Sequence, residues 1–230
     1  MIGRTERLKR ASERRNHYVL AAVALVPAFG DPPPQPAVDE ALRALAQGRP
    51  VGIPTDTVYG LAVDPFRPGA TDRLFAAKRR PRDVNLPVLV SGREQLEVLA
   101  TACPEAVLAL VDRFWPGPLT IVLPSRPDLT ADLGNDEATV GVRCPAHPVP
   151  LALCRAAGPL ATTSANPHGE PTLVTAAEVV ATFGVTVPVV LDGGPCEGLP
   201  STVVDCTGQE PKLLREGRVP WEDVQAAFRG

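Results

Sequence analysis

The chain has 230 residues, 44% of them apolar, and a formal net charge of -3 at pH 7. That length and apolar share suit one large α/β unit with a real core and exclude a disordered chain, while the slight acidity weighs against a broad phosphate-binding face. Five cysteines, odd in number, widely spaced and without a C-x-x-C pair, exclude a zinc knuckle and fit a reduced protein of the cytoplasm.

Residues 1 to about 16 carry six basic and two acidic residues with few apolar ones. They read as a frayed basic arm, with nucleic-acid contact as the sharper alternative. The apolar run "HYVLAAVALVPAF" that follows is shorter than the ~20 residues a membrane span needs. No small-residue cleavage pattern comes after it, so neither an anchor nor a signal peptide is expected. "DPPPQP" reads as a stiff spacer. The expected division is therefore residues 1–35 as a flexible basic extension with a Pro-rich spacer and residues 36–230 as the globular domain.

From Pro36 onward strand-like and helix-like segments alternate, the pattern of an α/β fold. "AVDEALRALAQG" has apolar residues at helical spacing and ends at Gly48, a natural C-cap. "PVGIPT" is a short strand. "ATDRLFAAKRR" predicts a helix stopped by Pro81, "LPVLV" a buried strand, and "REQLEVLA" and "PEAVLALVDRF" two further helices. "LTIVLP" and "TVGVRCP" are strands separated by a polar loop at 125–138. A helix near 149–157, the strand and loop "PLATTSANPHG", the helix "TAAEVVATFG", the strands "VPVVLD", "STVVDCT" and "PKLLRE", and a last helix "WEDVQAAFR" complete the chain.

Several of these strands end in polar groups. Thr55, Asp56 and Thr57 follow the first strand of the domain and either bind a ligand or cap the turn. Arg143 ends an apolar strand, where a guanidinium needs an anion partner, from a ligand or from a structural carboxylate. "ATTSANPHGEP" gathers Thr162, Thr163, Ser164 and Asn166 on a bent backbone, either a donor cluster or an ordinary Asx or Ser turn. Ser201 and Thr202 begin another strand, and Arg215 lies in the last. Lys78, Arg79, Arg80 and Arg82 fall within five positions of this acidic chain. If that segment is extended, Lys78 and Arg80 face inward and Arg79 faces water. Together these residues predict a cleft at strand ends with hydroxyl and amide donors and with Lys78, Arg80, Arg143 and Arg215 as cations, suited to a polyphosphate. No P-loop or G-x-G-x-x-G sequence is present. Three histidines without metal-ligand spacing give no metal site, and neither His147 nor His168 is needed as a base.

The ordered set "PTDTVYGLAVDP", "KRRP", "WPGPLT", "VGVRCP", "TTSANPHG", "STVVD" and "LLREG" resembles the YrdC-like family of threonylcarbamoyl-AMP synthases over about residues 36–228. The resemblance implies a single-domain, twisted, largely parallel or mixed sheet with flanking helices around a deep, positively lined cavity. It implies ATP-dependent synthesis of L-threonylcarbamoyladenylate from L-threonine and bicarbonate or CO2, with release of pyrophosphate and with Mg²⁺. The product is implied to pass to a tRNA threonylcarbamoyl transferase complex, with direct tRNA contact as a further possibility. Lys78 and Arg80 match the family's K-x-R pair, implied to hold ATP phosphates and to act in catalysis. Asn166 and Arg215 match ATP-side positions, and Thr55, Arg143, Ser164 and Ser201 match positions implied to surround threonine. His168 stands where serine is usual, Glu216 follows the late arginine in place of proline, and Leu89 or its neighbour replaces a histidine of longer members. The short, single-domain form is expected. Two other readings stay open: a non-catalytic RNA-binding or ribosome accessory protein of the same fold, and a carbamoyl-transfer module.

Overall fold

A computed structural model describes residues 23–101, 103–135, 138–167 and 169–230. The basic stretch at residues 1–16 and His168 lie outside them. One ten-stranded sheet runs through the molecule in the order β1-β8-β2-β3-β7-β4-β6-β5-β9-β10. Its strands are β1 (Ala24–Pro27), β2 (Val51–Ile53), β3 (Gly60–Val63), β4 (Val88–Leu89), β5 (Leu119–Pro124), β6 (Thr139–Arg143), β7 (Leu160–Ser164), β8 (Val189–Asp192), β9 (Thr202–Asp205) and β10 (Lys212–Arg215). The sheet is mixed: β1–β8, β2–β8, β4–β6 and β5–β9 pair in parallel, and the remaining neighbours are antiparallel.

The helices are α1 (Gln35–Ala46), α2 (Ala70–Lys78), α3 (Leu96–Leu99), α4 (Glu105–Phe114), α5 (Pro148–Ala157), α6 (Ala176–Phe183) and α7 (Trp221–Arg229). Proline in the first turn opens α1 and α5, where its missing N–H costs nothing. Thr175 and Glu178 form a reciprocal capping box at α6. Buried Ala37, Val38, Ala41, Ala44 and Leu45 give α1 a single apolar stripe, as their spacing predicts.

Alternation along the strands divides the interior in two. Val51, Ile53, Ala62, Val189 and Leu191 face a cluster that packs under α1 and α5, whereas Leu61, Val63 and Val190 face the larger cluster under α2, α4, α6 and α7. The cluster under α1 and α5 draws strand residues from β2, β3, β4, β7 and β8 and takes none from β5, β6, β9 or β10. On that face no helix among the described residues packs with the far half of the sheet in this cluster.

Four expectations change. Residues 24–27, placed in the extension, form the edge strand β1 paired with β8, and Ala28 is buried, so the domain begins before residue 36. The helix α2 ends at Lys78 instead of running on toward Pro81, because Arg79 adopts a left-handed conformation with φ 53°. "REQLEVLA" divides into a 3-10 turn at Arg93–Gln95 and the short α3. "LPVLV" contributes a strand of only two residues, β4.

Candidate functional site

That far half of the sheet is the floor of a cavity of about 450 Å³. Residues two apart on neighbouring strands face into it: Thr162 and Ser164 on β7, Gly141 and Arg143 on β6, Thr120 and Val122 on β5. Their alternate neighbours Ala161, Val140, Val142, Leu119 and Ile121 turn to the core. Period-two patterning thus builds a polar floor on one face and a packed core on the other. Arg80, Arg143 and Arg215 all line this space, and among the described residues that line it there is no carboxylate.

Arg143, at the end of β6, is 7% exposed and held at three nitrogens. Its Nε donates to the Gly117 carbonyl (3.0 Å), one Nη donates to Thr57 Oγ1 (3.0 Å) and the other to Asp56 Oδ1 (2.6 Å). Burial lowers its pKa, the Asp56 carboxylate opposes that shift, and Arg215 and Arg218 add to it. Thr55 Oγ1 donates to the Val58 carbonyl (2.7 Å) and lies 2.9 Å from Thr57 Oγ1. Since Thr55 has one hydroxyl proton, the proton between the two hydroxyls is that of Thr57. The Thr55–Thr57 turn therefore both caps itself and lines the cavity.

Lys78, the last residue of α2, is 3% exposed, whereas Arg79 beside it is exposed. The Lys78 Nζ donates among four neutral oxygens: Ser164 O (2.8 Å), Thr163 Oγ1 (3.0 Å), Asn166 Oδ1 (3.0 Å) and Ser164 Oγ (3.2 Å). Burial, then the nearby Arg80, pull its pKa down to about 8. Ser164 Oγ also donates to Asn166 Oδ1 at 2.6 Å. Lys78 and Asn166 are not lining residues; they stand behind the wall formed by Thr163 and Ser164.

Arg80 faces the cavity with Nε donating to the Val84 carbonyl (3.1 Å) and one Nη to the Asn85 carbonyl (3.0 Å). Burial and Arg215 lower its pKa. Arg215 donates through Nε and Nη to the Ser201 carbonyl (3.1 and 2.9 Å) and through Nη to Ser201 Oγ (3.0 Å), itself 2.9 Å from Thr120 Oγ1. Among the described residues neither Arg80 nor Arg215 pairs with a carboxylate within 4 Å.

Nine of the residues singled out from the sequence, Thr55, Thr57, Arg80, Arg143, Thr162, Thr163, Ser164, Ser201 and Arg215, converge on one cavity, with Lys78 and Asn166 one layer behind. His147 lies elsewhere: its Nδ1 accepts from the Val149 N–H and caps α5. Sequence reasoning passed over Thr120 and Gly141, which lie inside apolar runs, and Arg218, which donates to the Asp56 carbonyl at 2.7 Å. The strand alternation of "LTIVLP" and "TVGVRCP" was the available signal for the first two.

The family model Sua5/YciO/YrdC, described as telomere recombination, matches residues 43–217. A Mycobacterium tuberculosis protein is 42% identical over 185 residues, covering 80% of this chain and 85% of that protein. A Pyrococcus abyssi protein named threonylcarbamoyl-AMP synthase is 40% identical over 183 residues, 79% of this chain but 54% of its own length. The chain thus spans about half of that longer relative. The crystal structure of P. abyssi Sua5 complexed with L-threonine superposes with a TM-score of 0.81 at 36% identity, covering 89% of this chain and 61% of the other.

Proposed function

The chain belongs to the Sua5/YciO/YrdC family, and from that premise we propose that it is a threonylcarbamoyl-AMP synthase. In this reading it condenses L-threonine, bicarbonate or CO2, and ATP into L-threonylcarbamoyladenylate and pyrophosphate. The observation that carries the reading is a cavity lined by three arginines and many hydroxyls with no carboxylate among its described lining residues. Such a wall suits a polyphosphate and a carboxylate together.

The amine of threonine adds to CO2 or bicarbonate to give a carbamate, and a carbamate oxygen then displaces pyrophosphate from the α-phosphorus of ATP. The protein has no covalent step to perform, so its contribution is positioning and stabilisation of charge. Arg80 and Arg215, the second close enough to lower the pKa of the first, would take the phosphates. Arg143 would take the threonine carboxylate, with Thr55 and Ser201 beside it. Lys78 would exchange one neutral acceptor for a phosphate oxygen, with Ser164 and Asn166 ordering the exchange. The described wall offers no carboxylate for Mg²⁺ and the described residues contain no cluster of three metal-ligating side chains, so these residues do not by themselves form a Mg²⁺ site. Mg²⁺ would come as part of the Mg–ATP substrate.

No helix among the described residues is long and apolar enough to cross a membrane. We assign the reaction to the cytoplasm, as a nucleotidyl transfer supplying a tRNA threonylcarbamoyl transferase. The test is pyrophosphate release by the purified protein, expected only when ATP, L-threonine and bicarbonate are all present, with threonylcarbamoyladenylate detected by mass spectrometry. A complete mixture that yields no adenylate overturns the assignment.

A further inference from the structure

We infer that Asp56 is the positioning residue that aims Arg143 at the carboxylate of the amino-acid substrate. The inference rests on the reading above that Arg143 meets that carboxylate. Arg143 has five N–H bonds in one plane. Three are spent, on Gly117, Thr57 and Asp56, which leaves one on each terminal nitrogen uncommitted among the described residues. What fixes the guanidinium plane fixes where those two remaining donors point.

Of the three anchors only Asp56 is charged. The two side chains are 8% and 9% exposed, and the acceptor distance of 2.6 Å is that of a charge-assisted bond. Arg215 and Arg218 both act against the charge on Arg143, and Asp56 is the group that offsets them. Asp56 does this with one oxygen. Its Oδ2 is buried and has no hydrogen-bond partner among the described residues. Leaving a carboxylate oxygen unbonded in the interior is costly, and a neutral asparagine would offer Arg143 the same single acceptor. Hydrogen bonding alone therefore does not account for an aspartate here. Its negative charge does, because it opposes the effect of Arg215 and Arg218 on Arg143.

The loop that carries Asp56 is itself held from behind. The Asp56 carbonyl accepts from Arg218 at 2.7 Å, and Arg218 pairs with Glu197 at 2.8 Å. Asp56 thus stands between an arginine that faces the cavity and one that does not line it, and does not line the cavity itself.

The test is Asp56→Asn in the full chain, read by pyrophosphate release and by calorimetric binding of L-threonine. The KM and Kd for L-threonine are expected to rise about tenfold or more, the loss of one charge-assisted contact, while the KM for ATP stays within about twofold. L-Threoninol, which lacks the carboxylate, is expected to bind parent and variant equally, a readout that a general loosening of the fold would not spare. Unchanged threonine affinity, or equal losses for threonine, threoninol and ATP, overturns the inference. Should the variant fail to fold, Thr57→Val removes a second anchor and is expected to raise the KM for threonine about threefold with threoninol unaffected. A parent protein that binds no threonine overturns the functional assignment first, and this inference with it.

Discussion

Lys78 is a cation among neutral oxygens, and its position sets two expectations. Replacing Lys78 or Arg80 by alanine should remove a contact to phosphate worth about 1.5 to 3 kcal/mol and slow adenylate formation by roughly ten- to a hundredfold. Arg79→Ala, at an exposed site between them, should stay within about threefold of the parent. Steady-state pyrophosphate release measures all three, and equal losses would point to a diffuse basic patch. The second expectation concerns pH. Lys78 titrates near 8 in the folded protein against 10.5 for the free side chain, so between those values the unfolded chain binds the additional proton. Stability of the unliganded protein should therefore rise with pH through that window. Anion binding favours protonated Lys78, so affinity for ATP should fall as pH climbs above about 8. Titration calorimetry in buffers of different ionisation enthalpy would show the proton taken up, and a pH-independent affinity from 7 to 9.5 would remove Lys78 from phosphate contact.

Between Lys78 and Arg80 the chain makes a bend that spacing alone did not describe. The inward and outward division of the three side chains is seen, but it arises from a helix end with Arg79 left-handed, not from an extended path. A residue with a Cβ costs about 1 kcal/mol in that conformation, which glycine avoids. Arg79→Gly is therefore expected to raise the melting temperature by about 2 to 4 °C without lowering activity, measurable by calorimetry. The helices α1, α4 and α6 were legible because a stripe at every third or fourth residue reports burial directly. Strand order was not, because period two tells which face a residue occupies and nothing about its neighbour strand; the antiparallel pairing of β7 with both β3 and β4 is set by tertiary packing. In the site, Arg143 and Ser201 stood out as polar residues at the ends of apolar runs. Gly141 and Thr120 did not, since one small residue inside a strand has the same appearance whether it faces a core or a cavity. The depth of Lys78 was equally hidden, because it depends on β7 passing beside the end of α2.

At the scale of the whole molecule, β1 and β10 are the two edges of the sheet. Removal of residues 1–35 would take away β1 and buried Ala28 and expose the backbone of β8. That truncation is expected to lower stability and promote association, whereas removal of residues 1–22 takes nothing from the described sheet; thermal melting and light scattering of the two proteins would separate them. At the other end, the half-sheet that floors the cavity leaves three guanidiniums across one small space. Arg215 acts against the charge of both Arg80 and Arg143 until an anion arrives, and a wall of cations and hydroxyls draws a phosphate about to be transferred and one that has left alike. Pyrophosphate then becomes a competitor for the ATP phosphates and also a reactant. A pocket that stabilises the in-line transition state does so from both directions, so adenylate supplied with pyrophosphate should return ATP and a threonine carbamate that breaks down to threonine and CO2, and net synthesis would depend on how fast another enzyme removes the pyrophosphate.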